Sequence, residues 1–177
     1  MTQPGTPRPV LAVLIGPPGA GKSAVGPLLA GRLGVEFRDT DADVRAAAGK
    51  PVSDIFIENG EKAFRELERE AAASALSEHG GVLALGSGAV LDPDLQLRLE
   101  GLAVVYLAAD FATIARRLGL DRPHVVLPGN PRGRLRAMLE ERRPLYERLA
   151  TVTVKTDDLD PDELAAQIAA TLPEPQL

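Results

Sequence analysis

Residues Gly16 to Ser23 read G-P-P-G-A-G-K-S and follow directly on the apolar run Val10–Ile15. Strand, glycine loop and helix in that order is the context in which such a loop binds phosphate. Glycines at these positions let the backbone curl and turn successive N–H groups inward. With the positive end of the helix that follows, those amides form a cradle for a polyphosphate. Lys22 adds a mobile charge for the β- and γ-phosphates, and Ser23 offers a hydroxyl to Mg²⁺.

Four further places carry groups of the right type. In Asp39-Thr40-Asp41, after a short apolar run, Asp41 suits the cap of a helix beginning at Ala42. Beside a phosphate loop the two carboxylates can instead divide labour, one ordering Mg²⁺ and the other orienting an acceptor hydroxyl. Glu61–Glu70 is dense in opposite charges at helical spacing. Most of these make a solvated face, with Glu61 and Arg65 an i,i+4 pair, while Arg65 beside Phe64 is a candidate anion binder. Gly86-Ser87-Gly88 ends a strand and reads as a turn where bare backbone meets a ligand or a neighbouring strand. Arg142, in R-R-P-L-Y-E, is either a surface arginine or a second anion site. His79 and His124 have loop-like surroundings and no catalytic role is assigned to them.

The elements that must position these groups are legible as alternation. Val10–Ile15, Val35–Phe37, Val82–Leu85, Ala103–Leu107 and Val152–Val154 read as strands. Ser23–Leu33, Glu61–Ser77, Pro93–Leu99, Phe111–Leu118, Arg134–Arg148 and Pro161–Thr171 read as helices. Such alternation predicts a three-layer α/β/α domain around a five-stranded parallel sheet, with ligands beyond the carboxyl ends of the strands. Pro27, inside the first helix, has no explanation in the pattern. Gly119–Gly133 carries three prolines and three glycines. It is either a mobile surface loop or a lid that excludes water from a phosphoryl transfer, with Arg122 as the charge it delivers.

Composition bounds the rest. A chain of 177 residues suits a single domain over 1–177, with a core at about 10–171. It has 45% hydrophobic residues but only 3% aromatic, so Ala, Leu and Val must fill the core. A net charge of −5 argues against nucleic-acid or membrane-surface partners. With no cysteine there is no disulfide, thiolate metal site or cysteine nucleophile. Neither a signal-like start nor a membrane-length apolar run is present, so a soluble, cytoplasmic protein is expected, and the small domain without an obvious apolar surface stripe points to a monomer.

Together the segments G-P-P-G-A-G-K-S, D-T-D at 39–41, D-I-F-I-E-N-G-E-K-A-F-R at 54–65, G-S-G at 86–88, R-P at 122–123 and R-R-P-L-Y at 142–146 resemble shikimate kinase, in the family's order. The resemblance implies a P-loop, nucleoside monophosphate kinase-like fold with a mobile lid at about 119–133 and a substrate-binding segment at about 39–70. It implies transfer of the γ-phosphoryl of ATP to the 3-hydroxyl of shikimate, with Mg²⁺. Gly19, Ala20, Gly21, Lys22, Ser23 and Ala24 would hold ATP, and Arg117 (or Arg116) would pack on its adenine. Ser23 would ligate Mg²⁺, with Asp39 holding it through water. Asp41 would hydrogen-bond the acceptor hydroxyl. Arg65 and Arg142 would bind the substrate carboxylate, with Gly86, Ser87 and Gly88 completing the pocket. Lys22 and Arg122 would neutralise charge on the transferring group.

Two departures bear on the acceptor. The family usually has three consecutive glycines where Ser87 stands, a strained placement if its φ must be positive. His124 replaces an apolar lid residue. The competing expectations are a related kinase for another cyclitol or polyol acid, and a nucleotide-binding paralogue without catalysis. Retention of Lys22, Asp39, Asp41, Arg65, Arg122 and Arg142 together speaks against the latter.

Overall fold

The computed structural model describes residues 9–121 and 129–173. In chain order it places β1 (Ala12–Ile15), α1 (Lys22–Leu33), β2 (Phe37–Asp39), α2 (Thr40–Ala48), α3 (Val52–Glu78), β3 (Val82–Ala84), α4 (Pro93–Leu99), β4 (Val104–Ala108), α5 (Phe111–Arg117), α6 (Pro131–Leu149), β5 (Val152–Lys155) and α7 (Pro161–Thr171). The strands form one five-stranded parallel sheet in the order β2-β3-β1-β4-β5.

The central strand is apolar throughout because helices cover both of its faces. Ala12 and Leu14 pack with Leu29 of α1 and Leu164 and Ile168 of α7. Val13 and Ile15 point the other way, to Ala72 and Ala75 of α3, Leu95 of α4 and Tyr146 of α6. That is the expected three-layer arrangement. The chain leaves β1 towards one edge and β3 towards the other, so a crevice opens above their carboxyl ends. Two smaller clusters flank it: Val44, Ile55 and Phe64 join α2 to α3, and Ile114, Ala115, Leu135 and Leu139 join α5 to α6.

Several expected boundaries move, each for a local reason. The second strand spans Phe37–Asp39 rather than Val35–Phe37. Gly34 ends α1 in the left-handed region at φ 66°, and the Val35 amide still bonds back to Ala30, so pairing with β3 starts only at the Glu36 carbonyl. The helix expected over Glu61–Ser77 is one arm of α3, whose backbone breaks at Gly60 (φ 83°, ψ 169°). Asp39, not Asp41, caps α2, accepting from the Asp41 amide at 2.9 Å. Asn130 caps α6, so 131–133 are helix rather than part of the loop expected over 119–133. Pro27 sits inside α1 with its ring exposed, and the helix runs on through it. Arg122 and His124 lie outside the described residues. Among the described residues no helix is long and apolar enough to cross a membrane.

Candidate active site

The phosphate loop is built as its spacing requires. Gly16 passes so close to β4 that a Cβ there would lie 2.8 Å from the Leu107 carbonyl oxygen. Gly19 and Gly21 hold φ of 79° and 105°, a region that side chains disfavour. Arg117 clamps the loop from outside: its guanidinium donates to the carbonyls of Gly19 (3.0 Å) and Ala20 (3.3 Å) and to both oxygens of Thr156. The residue expected against adenine thus also fastens the phosphate loop to the end of β5. Lys22, the first residue of α1, lies buried across the loop and donates from Nζ to Gly16 O at 2.6 Å and Pro17 O at 3.0 Å. Burial pushes its ammonium down from 10.5 to about 8, although Asp41, Asp39 and Glu68 pull the other way.

Across the crevice, β2 delivers Asp39 to the start of α1, where Ser23 Oγ donates to Asp39 Oδ2 at 2.7 Å. One carboxylate therefore caps α2 with one oxygen and meets the loop hydroxyl with the other. Hard oxygen donors in this pairing suit Mg²⁺, which is ordinarily held by one or two protein groups with substrate phosphates and water. Among the described residues no cluster of three acidic or histidine side chains offers an all-protein cage. Asp41, the second residue of α2, is half-buried, and both desolvation and the neighbouring Asp39 raise its carboxyl above the usual range. Thr40 between them is fully buried, and its Oγ1 accepts from the Gly86 amide at 2.9 Å, locking α2 to the turn after β3.

That turn collects the arginines. A Cβ on Gly86 would lie 2.7 Å from Glu68 Oε2 and 2.8 Å from Asp41 Oδ1, and one on Gly88 would strike the Arg65 guanidinium. Arg65 is steered there by Glu68, which accepts from its Nη1 at 2.8 Å, whereas Glu61 stands 3.8 Å off. The expected i,i+4 pair is the weaker of the two contacts. Arg142 reaches the same turn from α6, its Nη1 donating to Ser87 Oγ at 3.3 Å. It is a buried residue rather than a surface arginine, at 6% exposure. Tyr146, one turn further along α6, donates to the Ser87 carbonyl at 2.7 Å. Ser87 is not in the left-handed region, so the strain conditional on a positive φ is absent. Two guanidiniums, a raised carboxyl and a phosphate cradle therefore face one crevice.

The family model for shikimate kinase matches residues 18–173. The chain belongs to the shikimate kinase family. Shikimate kinase of Thermobifida fusca is 56% identical over 163 residues, covering 92% of this chain and 95% of the relative. That of Salinispora arenicola is 52% identical over 162 residues, with 92% and 97% covered. Among solved structures, the shikimate kinase of Acinetobacter baumannii in complex with shikimate superposes with a TM-score of 0.81 at 34% identity, covering 91% of this chain and 90% of its own.

As a member of the shikimate kinase family the chain carries groups at the crevice that spacing alone did not single out. Glu68 is 3% exposed, and burial raises its carboxyl although Arg65 lowers it. A signal existed: Phe64, Glu68, Ala72 and Ala75 fall on one helical stripe, so an apolar face was carrying a charge. Tyr146 sits four residues after Arg142 and therefore on its face, stacked on Tyr106 at 5.1 Å. His79, by contrast, places Nε2 3.0 Å from the Val82 carbonyl, a contact at the base of β3.

Proposed function

We propose that this protein transfers the γ-phosphoryl group of ATP to the 3-hydroxyl of shikimate, forming shikimate 3-phosphate for chorismate and aromatic amino acid biosynthesis. The observation that carries this reading is the meeting of Arg65 and Arg142 on the bare turn at 86–88, across the crevice from the phosphate loop. Two guanidinium forks are the natural receptor for one buried carboxylate. The acceptor's carboxylate is gripped there, with the backbone of Gly86, Ser87 and Gly88 as the floor. Its ring then points the 3-hydroxyl towards Asp41.

The amides of 19–24 hold the phosphates, and Lys22 turns from the loop carbonyls to the β- and γ-oxygens. Ser23, with Asp39 acting through water, would hold Mg²⁺, which would supply charge neutralisation to the bound phosphates. Asp41 orients the acceptor hydroxyl and takes its proton as the oxygen–phosphorus bond forms and the bond to ADP breaks. Arg122, from outside the described residues, adds positive charge at the transferring group. Arg117 packs against adenine while holding the loop. The protein acts as a single-domain monomer in the cytoplasm, with 119–130 as its lid.

The test is ADP release from MgATP with shikimate, and with gluconate and quinate as control acceptors. Stimulation by shikimate alone is expected, and Arg65→Ala should raise its KM while sparing that of ATP. Equal turnover with all three acceptors, or with none, would overturn the assignment.

A further inference from the structure

We propose that the Ser87 hydroxyl is itself a binding and positioning group for the acceptor's carboxylate, placed in relay with Arg142. A serine hydroxyl has one proton to donate and two lone pairs to accept with. One acceptor site is taken by Arg142 Nη1, at 3.3 Å. The backbone beneath it cannot swing away, because its carbonyl accepts from Tyr146 Oη at 2.7 Å. Nor is the residue strained into place, since its φ is negative.

Among the described residues the Ser87 hydroxyl donates to no acceptor, so its proton can meet whatever Arg142 binds. Arg142 is 6% exposed, and its Nε has no hydrogen-bond partner among the described residues, so this guanidinium is held buried with a donor still to satisfy. On the acceptor reading above, on which this role rests, the missing partner is a carboxylate oxygen. A carboxylate seated on Arg142 comes within reach of Ser87 Oγ, and a hydroxyl polarised by a cation is a stronger donor to an anion. An uncharged carboxamide would have to present an N–H or a single acceptor to the same pair of donors, so the hydroxyl sharpens selection for the ionised acid. A glycine at this position offers only its backbone amide.

Ser87→Ala, Ser87→Gly and Ser87→Thr in the full chain test this, with Arg142→Gln as reference. Shikimate Kd is read by calorimetry and its KM and kcat at saturating MgATP. The alanine and glycine variants should raise both Kd and KM for shikimate about tenfold. Their kcat and ATP KM should stay at the parent value, and threonine, which keeps the hydroxyl, should stay near the parent throughout. Shikimate affinity as tight as the parent's in both the alanine and glycine variants, with binding lost in Arg142→Gln, would overturn the role of Ser87 and leave the acceptor assignment standing. Affinity unmoved in all of them would remove the acceptor assignment as well.

Discussion

Lys22 shows how much chemistry a single residue's burial can set. Its ammonium lies among loop carbonyls, with burial pushing it down to about 8 against the pull of three carboxylates. Phosphate oxygens arriving in the loop favour the charged form and raise that value. The sign follows directly: where free Lys22 is partly neutral, nucleotide binding must take up a proton. Calorimetric titration with MgATP in buffers of different ionisation heat should show uptake approaching a full proton near about pH 9. Almost none is expected near about pH 6.5, where the free lysine is already charged. Lys22→Gln should abolish the pH-dependent part together with turnover. Identical proton counts at both pH values would mean that Lys22 keeps its charge in the free protein. Asp41 is displaced upward instead, so acid should erode acceptor turnover sooner than an ordinary carboxylate would.

Among the elements, the turn after β3 depends most on its neighbours. It is roofed by Thr40 of α2, walled by Arg65 and Glu68 of α3, and tied by Tyr146 of α6. Removing the Tyr146 hydroxyl leaves a half-buried carbonyl without its donor, a loss of about 1–2 kcal/mol. Tyr146→Phe should therefore lower the urea midpoint and raise the shikimate KM, with the ATP KM unchanged. A lower midpoint without any change in KM would show that the hydrogen bonds with Thr40 and Arg142 hold the turn in place without it. The same interdependence explains what could be read from the sequence. The phosphate loop, α1 and α7 announce themselves through local signals: a glycine pattern, Gly34 as a stop, and the Asp160–Glu163 capping box with Pro161 inside it. The helix at Thr40–Ala48 is legible only as one of two readings, and with Asp41 as its cap, because the true cap is also its chemistry, Asp39 serving both. The first arm of α3 is hidden by Gly60, whose φ of 83° lets two helical arms meet at a break. Glu68 and Tyr146 matter through contacts with a turn about 20 and 59 residues away, beyond the reach of helical or strand periodicity.

At the scale of the molecule, the crevice divides into halves with separate foundations. The phosphate-loop side rests on β1, α1 and the Arg117 clamp to the end of β5, while the side at the 86–88 turn rests on α2, α3 and α6. Arg142 belongs wholly to the second half and reaches Lys22 only through its charge. It is also a burden to the free protein, a buried cation with an unpaired Nε–H and without a carboxylate partner among the described residues. Replacing such a group by a neutral one of similar reach is commonly neutral or stabilising. Arg142→Gln should thus melt at the parent's temperature or above it. Shikimate at a hundred times its Kd stabilises the parent by about 2.7 kcal/mol, or about 5–10 °C in a chain of this size. The variant should lose that rise while keeping the one produced by MgATP. A variant that melts lower and loses both responses would mean that Arg142 holds the fold together. One that melts as high and loses only the acceptor's response would show a residue kept buried and unpaired for the sake of binding.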